Sequence, residues 1–195
     1  MIQYWHTEQG AIQMATKVLV VVDVQNDFAK GGVLAYGYPK QSNTDAIIAK
    51  VKEFIANGDV VIATYDTHHD NYLDTLEGKY LPVPHCIDQT KGWELVGELQ
   101  ELANAGKIAV VYKSTFGTTL VGQFIREWRE KYGEIDEIDV CGYCTSICCA
   151  NNCSLLRSYM PNKKIVLLQD LCGDIDEESH KAALKVLRNQ QIEIV

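Results

Sequence analysis

The sequence predicts an α/β fold, a three-layer α/β/α sandwich whose central sheet is mostly parallel. Apolar runs rich in β-branched residues alternate along the chain with segments of helical periodicity, which is typical of a parallel sheet with helices on both faces. The run Lys17–Val24 reads KVLVVVDV, and such a continuous apolar run indicates a strand that is buried on both faces. Two predicted helices stop at Gly58 and Gly106, as helices commonly do.

Six strands and five helices follow from these patterns. The predicted strands are Lys17–Val24, Val60–Thr64, Ile108–Tyr112, Ile135–Val140, Lys164–Leu168 and a short last one at Ile192–Val195. The predicted helices are Asp45–Asn57, Trp93–Ala105, Leu120–Lys131, a segment from Cys148 to about Met160, and Glu177–Asn189. The stretch Asp66–Thr90 is predicted to be irregular, and a loop of that length in a compact domain is usually functional.

The composition fits one globular domain. The chain has 195 residues, of which 47% are hydrophobic, enough for a sizeable core. A net charge of -8 without a basic cluster argues against nucleic acid and membrane partners, and no apolar run reaches the roughly 20 residues that span a bilayer. Residues 1–13 are expected to be an N-terminal extension, and residues 14–195 a single domain. Because its start lacks a signal-peptide pattern, the protein is expected to be cytoplasmic.

Seven cysteines are present, and five of them lie within Cys141–Cys153. In a cytoplasmic chain this crowding indicates catalysis or metal binding rather than a disulfide framework. Cys148 follows the fourth predicted strand and a glycine turn, at the predicted start of a helix. A helix N-terminus has unpaired N–H groups and about half a positive charge, which favour a thiolate. Cys148 is therefore a candidate nucleophile, whereas Cys149 and Cys153 fit the buried side of the helix.

Polar residues follow the ends of four predicted strands. Asp23 lies at the end of the first strand, and Asp66 and His68 follow the second. Lys113 follows the third strand, and the cysteine turn follows the fourth. Parallel strands direct their carboxyl ends to one edge of the sheet, where the sites of such folds lie. An acid, a pair of metal-type ligands, a lysine and a thiol on one edge indicate an enzyme.

Five motifs resemble those of the isochorismatase-like cysteine hydrolases, and among these the nicotinamidase branch. The motifs are Asp23-Val24-Gln25-Asn26-Asp27-Phe28, Asp66-Thr67-His68, Pro84-His85-Cys86, Lys113 with Phe116, and Gly142-Tyr143-Cys144-Thr145-Ser146-Ile147-Cys148. Each motif is weak alone, but all five in this order are specific. The resemblance covers Lys17 to Val195 and implies the isochorismatase-like hydrolase fold.

The resemblance implies a catalytic triad of Asp23, Lys113 and Cys148. In the family the acid takes the thiol proton, and the cysteine attacks a carboxamide to form a thioester, which water hydrolyses. The oxyanion binds the backbone N–H groups of the nucleophile and of the residue four earlier, here Cys148 and Cys144. The Tyr143–Cys144 peptide is expected to be cis. The expected reaction converts a small carboxamide, nicotinamide in first place, to the carboxylate and ammonia.

The resemblance also implies a divalent metal and a pocket for the small amide substrate. The expected metal ligands are Asp66, His68, Glu77 and His85. Zinc is the expected metal, with iron or manganese as alternatives, because carboxylate and imidazole ligands suit all three. In the family this metal holds the ring nitrogen of the substrate. The residues expected in the pocket are Phe28, Phe116 and Tyr143.

The chain departs from the family pattern at two positions. Nicotinamidases usually have an acid after the threonine of the nucleophile turn, and here that residue is Ser146. They also carry an aromatic residue three positions before the last metal histidine, where this chain has Pro82. Tyr80 or Trp93 is a candidate to replace the missing aromatic wall. The second departure leaves another small amide open as the substrate.

Other interpretations start from the cysteines alone. Cys141 and Cys144 form a C-x-x-C between a strand and a helix, as in thioredoxin-like redox proteins. Together with Cys148 and Cys153 they are also candidates to bind zinc or an iron–sulfur cluster. A non-catalytic binding protein on the same fold is a further alternative. Relatives often form dimers or higher oligomers, so a homo-oligomer is allowed, although no interface pattern is recognisable.

Overall fold

The computed structural model describes residues 2–3 and 17–195. Within that part of the chain the strands form one seven-stranded sheet. They are β1 (Ile2–Gln3), β2 (Lys17–Val22), β3 (Val60–Asp66), β4 (Ala109–Lys113), β5 (Glu137–Tyr143), β6 (Lys164–Gly173) and β7 (Glu193–Ile194). The predicted extension of residues 1–13 and the boundary at residue 14 lie outside the described residues, apart from β1.

The strand order is β1-β4-β3-β2-β5-β6-β7. All neighbouring strands pair in parallel except β1, which is antiparallel to β4 at one edge. The chain moves outward from β2 through β3 to β4 on one side, and from β5 through β6 to β7 on the other. The order therefore reverses between β2 and β5, and ligands of open parallel sheets bind at the carboxyl ends next to such a reversal.

Six α-helices belong to the described chain. They are α1 (Thr44–Asn57), α2 (Leu76–Tyr80), α3 (Glu98–Asn104), α4 (Leu120–Tyr132), α5 (Ala150–Tyr159) and α6 (Glu177–Asn189). Helices α1 and α3 pack on one face of the sheet through Ile47 and Leu99. Helices α4, α5 and α6 cover the other face through Phe124, Leu156 and Leu187. The predicted mostly parallel α/β/α sandwich is confirmed. No helix in the described ranges combines the length and the apolar character needed to cross a membrane.

The continuous apolar run of β2 is explained by burial on both of its faces. Val18, Val20 and Val22 belong to the core beneath α4, α5 and α6. Leu19 and Val21 belong to the core beneath α1 and α3. All five side chains are removed from solvent, and each burial of this kind contributes roughly 1.5–3 kcal/mol. Strand β2 is therefore the centre of the domain.

Helix α3 is shorter than predicted. It begins at Glu98 rather than at Trp93, because Gly97 adopts a positive φ of 48° that a helix does not accept. The segment before it forms an isolated antiparallel bridge between Leu95 and Gln25 instead. The apolar spacing before the glycine thus serves the packing of an extended segment.

Strand β6 and the long irregular segment also differ in detail from their predictions. β6 continues past Leu168 to Gly173, because its second half pairs with the end of β5 after an irregularity in register. The segment Asp66–Thr90 contains a 3₁₀ turn at Tyr72–Asp74 and the short helix α2. The hydroxyl of Thr75 caps α2 by accepting a backbone N–H.

Gly142 allows β2 and β5 to approach closely near their carboxyl ends. Its φ is +124°, and a Cβ at this position would lie 2.1 Å from the carbonyl oxygen of Val22. Such a distance is far below van der Waals contact, so any larger residue would push the two strands apart. The close approach brings the turn after β5 beside the residue that follows β2.

Gly142→Ala is expected to lower the free energy of unfolding by about 3 kcal/mol or more, because both the positive φ and the carbonyl contact oppose a methyl group. Gly31→Ala is the matched control. Gly31 also has a positive φ, +97°, but a Cβ added at this position would have no atom within 4 Å. A loss of about 1 kcal/mol is therefore expected. Urea unfolding of both variants measures the difference. Equal losses would contradict a role for the close approach.

Candidate active site

The polar strand ends meet at one edge of the sheet. Asp23 follows β2, Asp66 ends β3 and Lys113 ends β4, while the turn that carries Cys148 follows β5. Asp66 and Lys113 are register partners in neighbouring strands, so their side chains leave the sheet side by side. All four side chains are buried. The parallel topology therefore brings together groups that are far apart in sequence.

Lys113 contacts both other members of the predicted triad. Its Nζ lies 2.7 Å from Oδ2 of Asp23 and 3.9 Å from Sγ of Cys148. The hydroxyl of Thr64 donates to Oδ1 of Asp23 over 2.7 Å. The Asp23 carboxylate is thus held at both oxygens, and its backbone is held in a left-handed conformation with φ +49°.

Burial dominates the protonation of these groups. It raises the pKa of the Cys148 thiol well above the usual value, with a further rise from Asp23 and a partial offset from Lys113. Burial also raises the pKa of Asp23 against the opposing charge of Lys113. It would lower the pKa of Lys113, but the charges of Asp23, Cys148 and Asp66 outweigh it and raise that pKa. Burial therefore opposes the thiolate that a helix N-terminus favours.

Cys148, the predicted nucleophile, lies in a π-helical turn, Thr145–Cys149, that leads into α5. The carbonyl oxygen of Cys144 accepts the N–H of Cys149 over 3.0 Å. This bond spans one residue more than an α-helical bond and passes over Cys148. The N–H of Cys148 is thereby left out of the bond that a regular helix would give it. Such turns occur frequently at functional sites.

The predicted metal ligands form one compact group. Asp66, His68, Glu77 and His85 each offer a ligand atom, and these atoms all lie within 4.8 Å of one another. Oδ2 of Asp66 lies 3.1 Å from Nε2 of His68 and 3.5 Å from Nε2 of His85. Oε1 of Glu77 lies 3.7 Å from each of these nitrogens. Two imidazoles and two carboxylates that converge in this way fit a divalent metal.

Neighbouring groups orient the ligands of this site. Nδ1 of His85 hydrogen-bonds the carbonyl oxygen of Val83 over 2.8 Å, which leaves Nε2 for the metal group. The Gln25 side chain donates to the carbonyl of Asp66 over 2.9 Å and accepts its N–H over 2.8 Å. Burial would raise the pKa of Asp66, but hydrogen bonds with His68 and His85 outweigh it and hold the pKa below the usual range.

A cavity of about 430 Å³ opens beside Cys148. Its lining residues are Phe28, Val33, Leu34, Ala35, Tyr36, Gly37, Asp66, Glu77, Leu81, His85, Phe116, Cys144, Ile147, Cys148 and Ile175. Polar groups lie on the side of the nucleophile and the metal group, and the remaining wall is largely apolar. An apolar cavity with a few convergent polar groups is the usual form of a small-molecule site.

Two of the three predicted pocket residues, Phe28 and Phe116, lie on the wall of this cavity. Tyr143 does not, because its side chain is fully buried in the core. Its ring packs on Tyr36, and its hydroxyl donates to Asn43 over 2.9 Å. The structure therefore moves Tyr143 from the pocket to the layer behind it. The Tyr143–Cys144 peptide is cis, as expected.

Neither Tyr80 nor Trp93 replaces the aromatic residue that is missing at position 82. Pro82 is exposed, and the preceding residue, Leu81, lines the cavity instead. The Tyr80 side chain is 84% exposed and lies outside the cavity lining. Trp93 donates from its indole nitrogen to the hydroxyl of Thr67 and packs away from the cavity. Both predicted replacements are therefore wrong, and the residue that lines the cavity next to Pro82 is the aliphatic Leu81.

The alternatives that rest on cysteines find little support in the geometry. Cys141 is fully buried, and burial raises its pKa well above the usual value. Burial also raises the pKa of Cys144, to about 12. Among the described residues the group around Asp66 is the one set of potential ligands close enough to hold a metal ion, and it contains no cysteine.

Several supporting residues were not identified from the sequence. Besides Gln25, Oδ2 of Asp27 accepts the backbone N–H of Cys86 over 2.8 Å, next to the predicted metal ligand His85. Asn152 donates to the carbonyl oxygen of Cys148 over 2.8 Å and accepts the N–H of Thr118 over 3.2 Å. Gln25 and Asp27 belong to the first motif, so a signal was present. For Asn152 the signal was its spacing of four residues from the nucleophile.

Known proteins share this arrangement of the chain. The family model of the isochorismatase domain matches residues 17–195. An uncharacterized isochorismatase family protein PncA of Bacillus subtilis (strain 168) is 29% identical over 178 residues, covering 89% of this chain and 94% of that protein. A nicotinamidase/pyrazinamidase of Mycobacterium tuberculosis is 27% identical over 194 residues, covering 92% of this chain and 98% of that protein.

A solved structure agrees with the sequence relatives. The crystal structure of nicotinamidase PncA from Bacillus subtilis superposes with a TM-score of 0.75 at 29% sequence identity, covering 92% of this chain and 99% of that one. The match of the family model runs from the first residue of β2 to the end of the chain. On this evidence the chain belongs to the isochorismatase family.

Proposed function

We propose that the protein hydrolyses nicotinamide to nicotinate and ammonia through a thioester on Cys148. One observation carries the proposal, the contact of Asp23, Lys113 and Cys148 beside a cavity that also reaches the metal group. A thiol with an adjacent base is the arrangement that nucleophilic catalysis on a carbonyl needs. Relatives and a solved structure that carry the name nicotinamidase support the choice of substrate.

Acylation of Cys148 is the first half of the proposed reaction. Asp23 takes the thiol proton, and Sγ attacks the carbonyl carbon of the amide. The N–H groups of Cys148 and Cys144 stabilise the oxyanion, an interaction typically worth about 3–4 kcal/mol. Asp23 then gives its proton to the amide nitrogen, the C–N bond breaks, and ammonia leaves.

Hydrolysis of the thioester is the second half. Asp23 takes a proton from water while the water oxygen attacks the thioester carbon. The C–S bond breaks, Cys148 regains its proton from Asp23, and the acid product releases its own proton to solvent as nicotinate. Lys113 keeps its positive charge throughout, which positions the carboxylate and offsets the negative charge that forms on sulfur.

We propose that Asp66, His68, Glu77 and His85 hold a divalent metal, zinc in first place with iron or manganese as alternatives. When bound, such a metal supplies a Lewis-acidic position for the ring nitrogen of the substrate and so orients the amide. Gln25 hydrogen-bonds both the N–H and the carbonyl of Asp66. These two bonds fix the backbone of Asp66 and so hold its carboxylate in place.

A different small carboxamide is the second candidate substrate. The observation that favours it is the aliphatic Leu81 beside Pro82, where an aromatic residue was expected, although Phe28 and Phe116 line other parts of the cavity. Aromatic pairs contribute about 0.5–1.5 kcal/mol beyond the burial of their area. The missing contact between the substrate ring and an aromatic residue at position 82 weakens the preference for a flat ring by that amount at most. Nicotinamide therefore stays in first place.

Cys148→Ala is expected to reduce ammonia release from nicotinamide by at least about 10⁴-fold, because the covalent step is lost. Cys153→Ala is the matched control, since Cys153 is equally buried on the same stretch of chain but does not line the cavity. It is expected to lose stability but to stay within about tenfold of the wild-type rate. An enzymatic ammonia assay measures both variants. Substantial turnover by Cys148→Ala would rule out the thioester route.

His68→Ala is expected to bind a divalent metal at least about 100-fold more weakly than the wild type, because one of four converging ligands is removed. His69→Ala is its control, since the neighbouring His69 is exposed and lies outside the metal group. Elemental analysis after dialysis gives the metal content, and ammonia release before and after chelation gives its effect. Equal metal content in the two variants would refute the site, and full activity in the chelated wild type would refute its role.

A further inference from the structure

Asp174, at the end of β6, is a buried carboxylate that the proposed reaction does not use. Its side chain is completely removed from solvent. Oδ2 accepts the backbone N–H of Ser146 over 2.8 Å, and Oδ1 accepts the Ser146 hydroxyl over 2.8 Å. Oδ1 also accepts the N–H of Ile175 over 2.8 Å. A buried carboxylate is stable in such a place because its oxygens are hydrogen-bonded.

Ser146 has a critical position in the nucleophile turn. It lies midway between Cys144 and Cys148, whose N–H groups are the predicted oxyanion donors. As an early residue of a helical turn, its own N–H has no partner within the turn, and Asp174 supplies one. The neighbouring Thr145 hydroxyl donates to the carbonyl oxygen of Gly173 over 3.1 Å. Gly173 and Asp174, at the end of β6 and directly after it, therefore hydrogen-bond two consecutive residues of the turn.

Asp174 also hydrogen-bonds a loop that lines the cavity. The carbonyl oxygen of Asp174 accepts the N–H groups of Gly37 and Tyr38, each over 2.9 Å, and its N–H donates to the carbonyl of Tyr38 over 2.7 Å. Gly37 and Ile175 line the cavity beside Cys148. Asp174 thus connects the turn that carries Cys148 with the loop at Gly37 and Tyr38.

We infer that Asp174 is the positioning residue of the nucleophile turn, and that it fixes the direction of the oxyanion N–H groups; this inference rests on the proposed function. Nicotinamidases usually have an acid at the position of Ser146. Here the carboxylate of Asp174, which follows the neighbouring strand β6, lies beside this position instead. Because catalytic groups displaced by about 1 Å lose on the order of 10²-fold in rate, loosening this grip is expected to affect the rate constant of acylation more than substrate binding.

Asp174→Asn tests the inference directly. The amide keeps the shape of the side chain but replaces one acceptor oxygen by a donor, so in either orientation the amide nitrogen faces a backbone N–H, of Ser146 or of Ile175, that it cannot accept. We expect kcat for nicotinamide to fall about 100-fold with KM changed less than about fivefold. Acylation of Cys148 by p-nitrophenyl acetate, followed as the burst of p-nitrophenolate above a Cys148→Ala background, is expected to fall by a similar factor.

Asp176→Ala is the control for a loss of stability, because alanine removes the helix cap. Asp176 is exposed and accepts the N–H of Ser179 at the start of α6, so its loss destabilises the fold without touching the turn. This variant is expected to melt at a lower temperature but to keep kcat within about twofold. A purely structural role for Asp174 would lower its melting temperature in the same way while leaving kcat and the acylation burst intact, and that result would overturn the inference.

Moving the carboxylate provides the rescue experiment. The double variant Ser146→Asp with Asp174→Ser exchanges the acid and the hydroxyl across the same contact, and we expect it to recover kcat to within about tenfold of the wild type. Ser146→Ala removes one of the hydrogen bonds to Asp174 without disturbing its carboxylate, and a reduction of roughly fivefold is expected. If Asp174→Asn fails to fold, these two variants decide, because unchanged acylation in Ser146→Ala or a folded but inactive exchange variant contradicts the inference.

The ester burst separates this inference from the proposed function. A wild-type protein that acylates from p-nitrophenyl acetate but releases no ammonia from nicotinamide refutes the amide substrate. The effect of Asp174→Asn on the burst still tests the positioning role in that case. A wild type without any burst at Cys148 refutes both, because the nucleophile itself would then be absent.

Discussion

A buried lysine between two buried carboxylates is the interaction on which the rest of the site depends. Lys113 lies 2.7 Å from Asp23 and 3.5 Å from Asp66. Each buried charge costs several kcal/mol of desolvation, and mutual attraction offsets this cost when the geometry is good. The sheet provides that geometry, because Asp66 pairs with Lys113 in register and the N–H of Asp23 binds the carbonyl of Thr64 on the neighbouring strand.

Lys113 joins the proposed nucleophile, Cys148, to the proposed metal ligands. Asp66 is both a partner of Lys113 and a member of the proposed ligand set. A cation held by Asp66 would compete with Lys113 for the same carboxylate, and the ammonium would then interact chiefly with Asp23 and Cys148. Occupancy of the metal group and the protonation of the thiol are therefore electrostatically coupled. For this reason Asp23, Asp66, Lys113 and Cys148 act as one unit. The effects of substituting them singly on stability and activity will not add.

The elements and motifs were predictable where local sequence decides the structure. The strands were recognisable because a sheet buried on both faces requires continuous apolar runs, as in β2. The start of α3 was not, because the helical spacing around Trp93 does not reveal that Gly97 adopts a positive φ. Asp174 gave no signal, since its partner Ser146 lies on another strand connection and becomes its neighbour by tertiary packing. The burial that raises the pKa of Cys148 was not predictable either, because burial is a property of the folded core rather than of the local sequence.

The positions of the site groups along the chain have a consequence for how the protein matures. Asp23 comes from the first long strand, whereas Asp174 follows β6 near the end of the chain. Contacts between such distant segments form slowly, because loop closure must precede them. A chain still being synthesised can bury its early strands, yet it lacks the carboxylate that grips the nucleophile turn. Recovery of the proposed acylation of Cys148 during refolding should therefore trail the formation of secondary structure and report completion of the whole sheet.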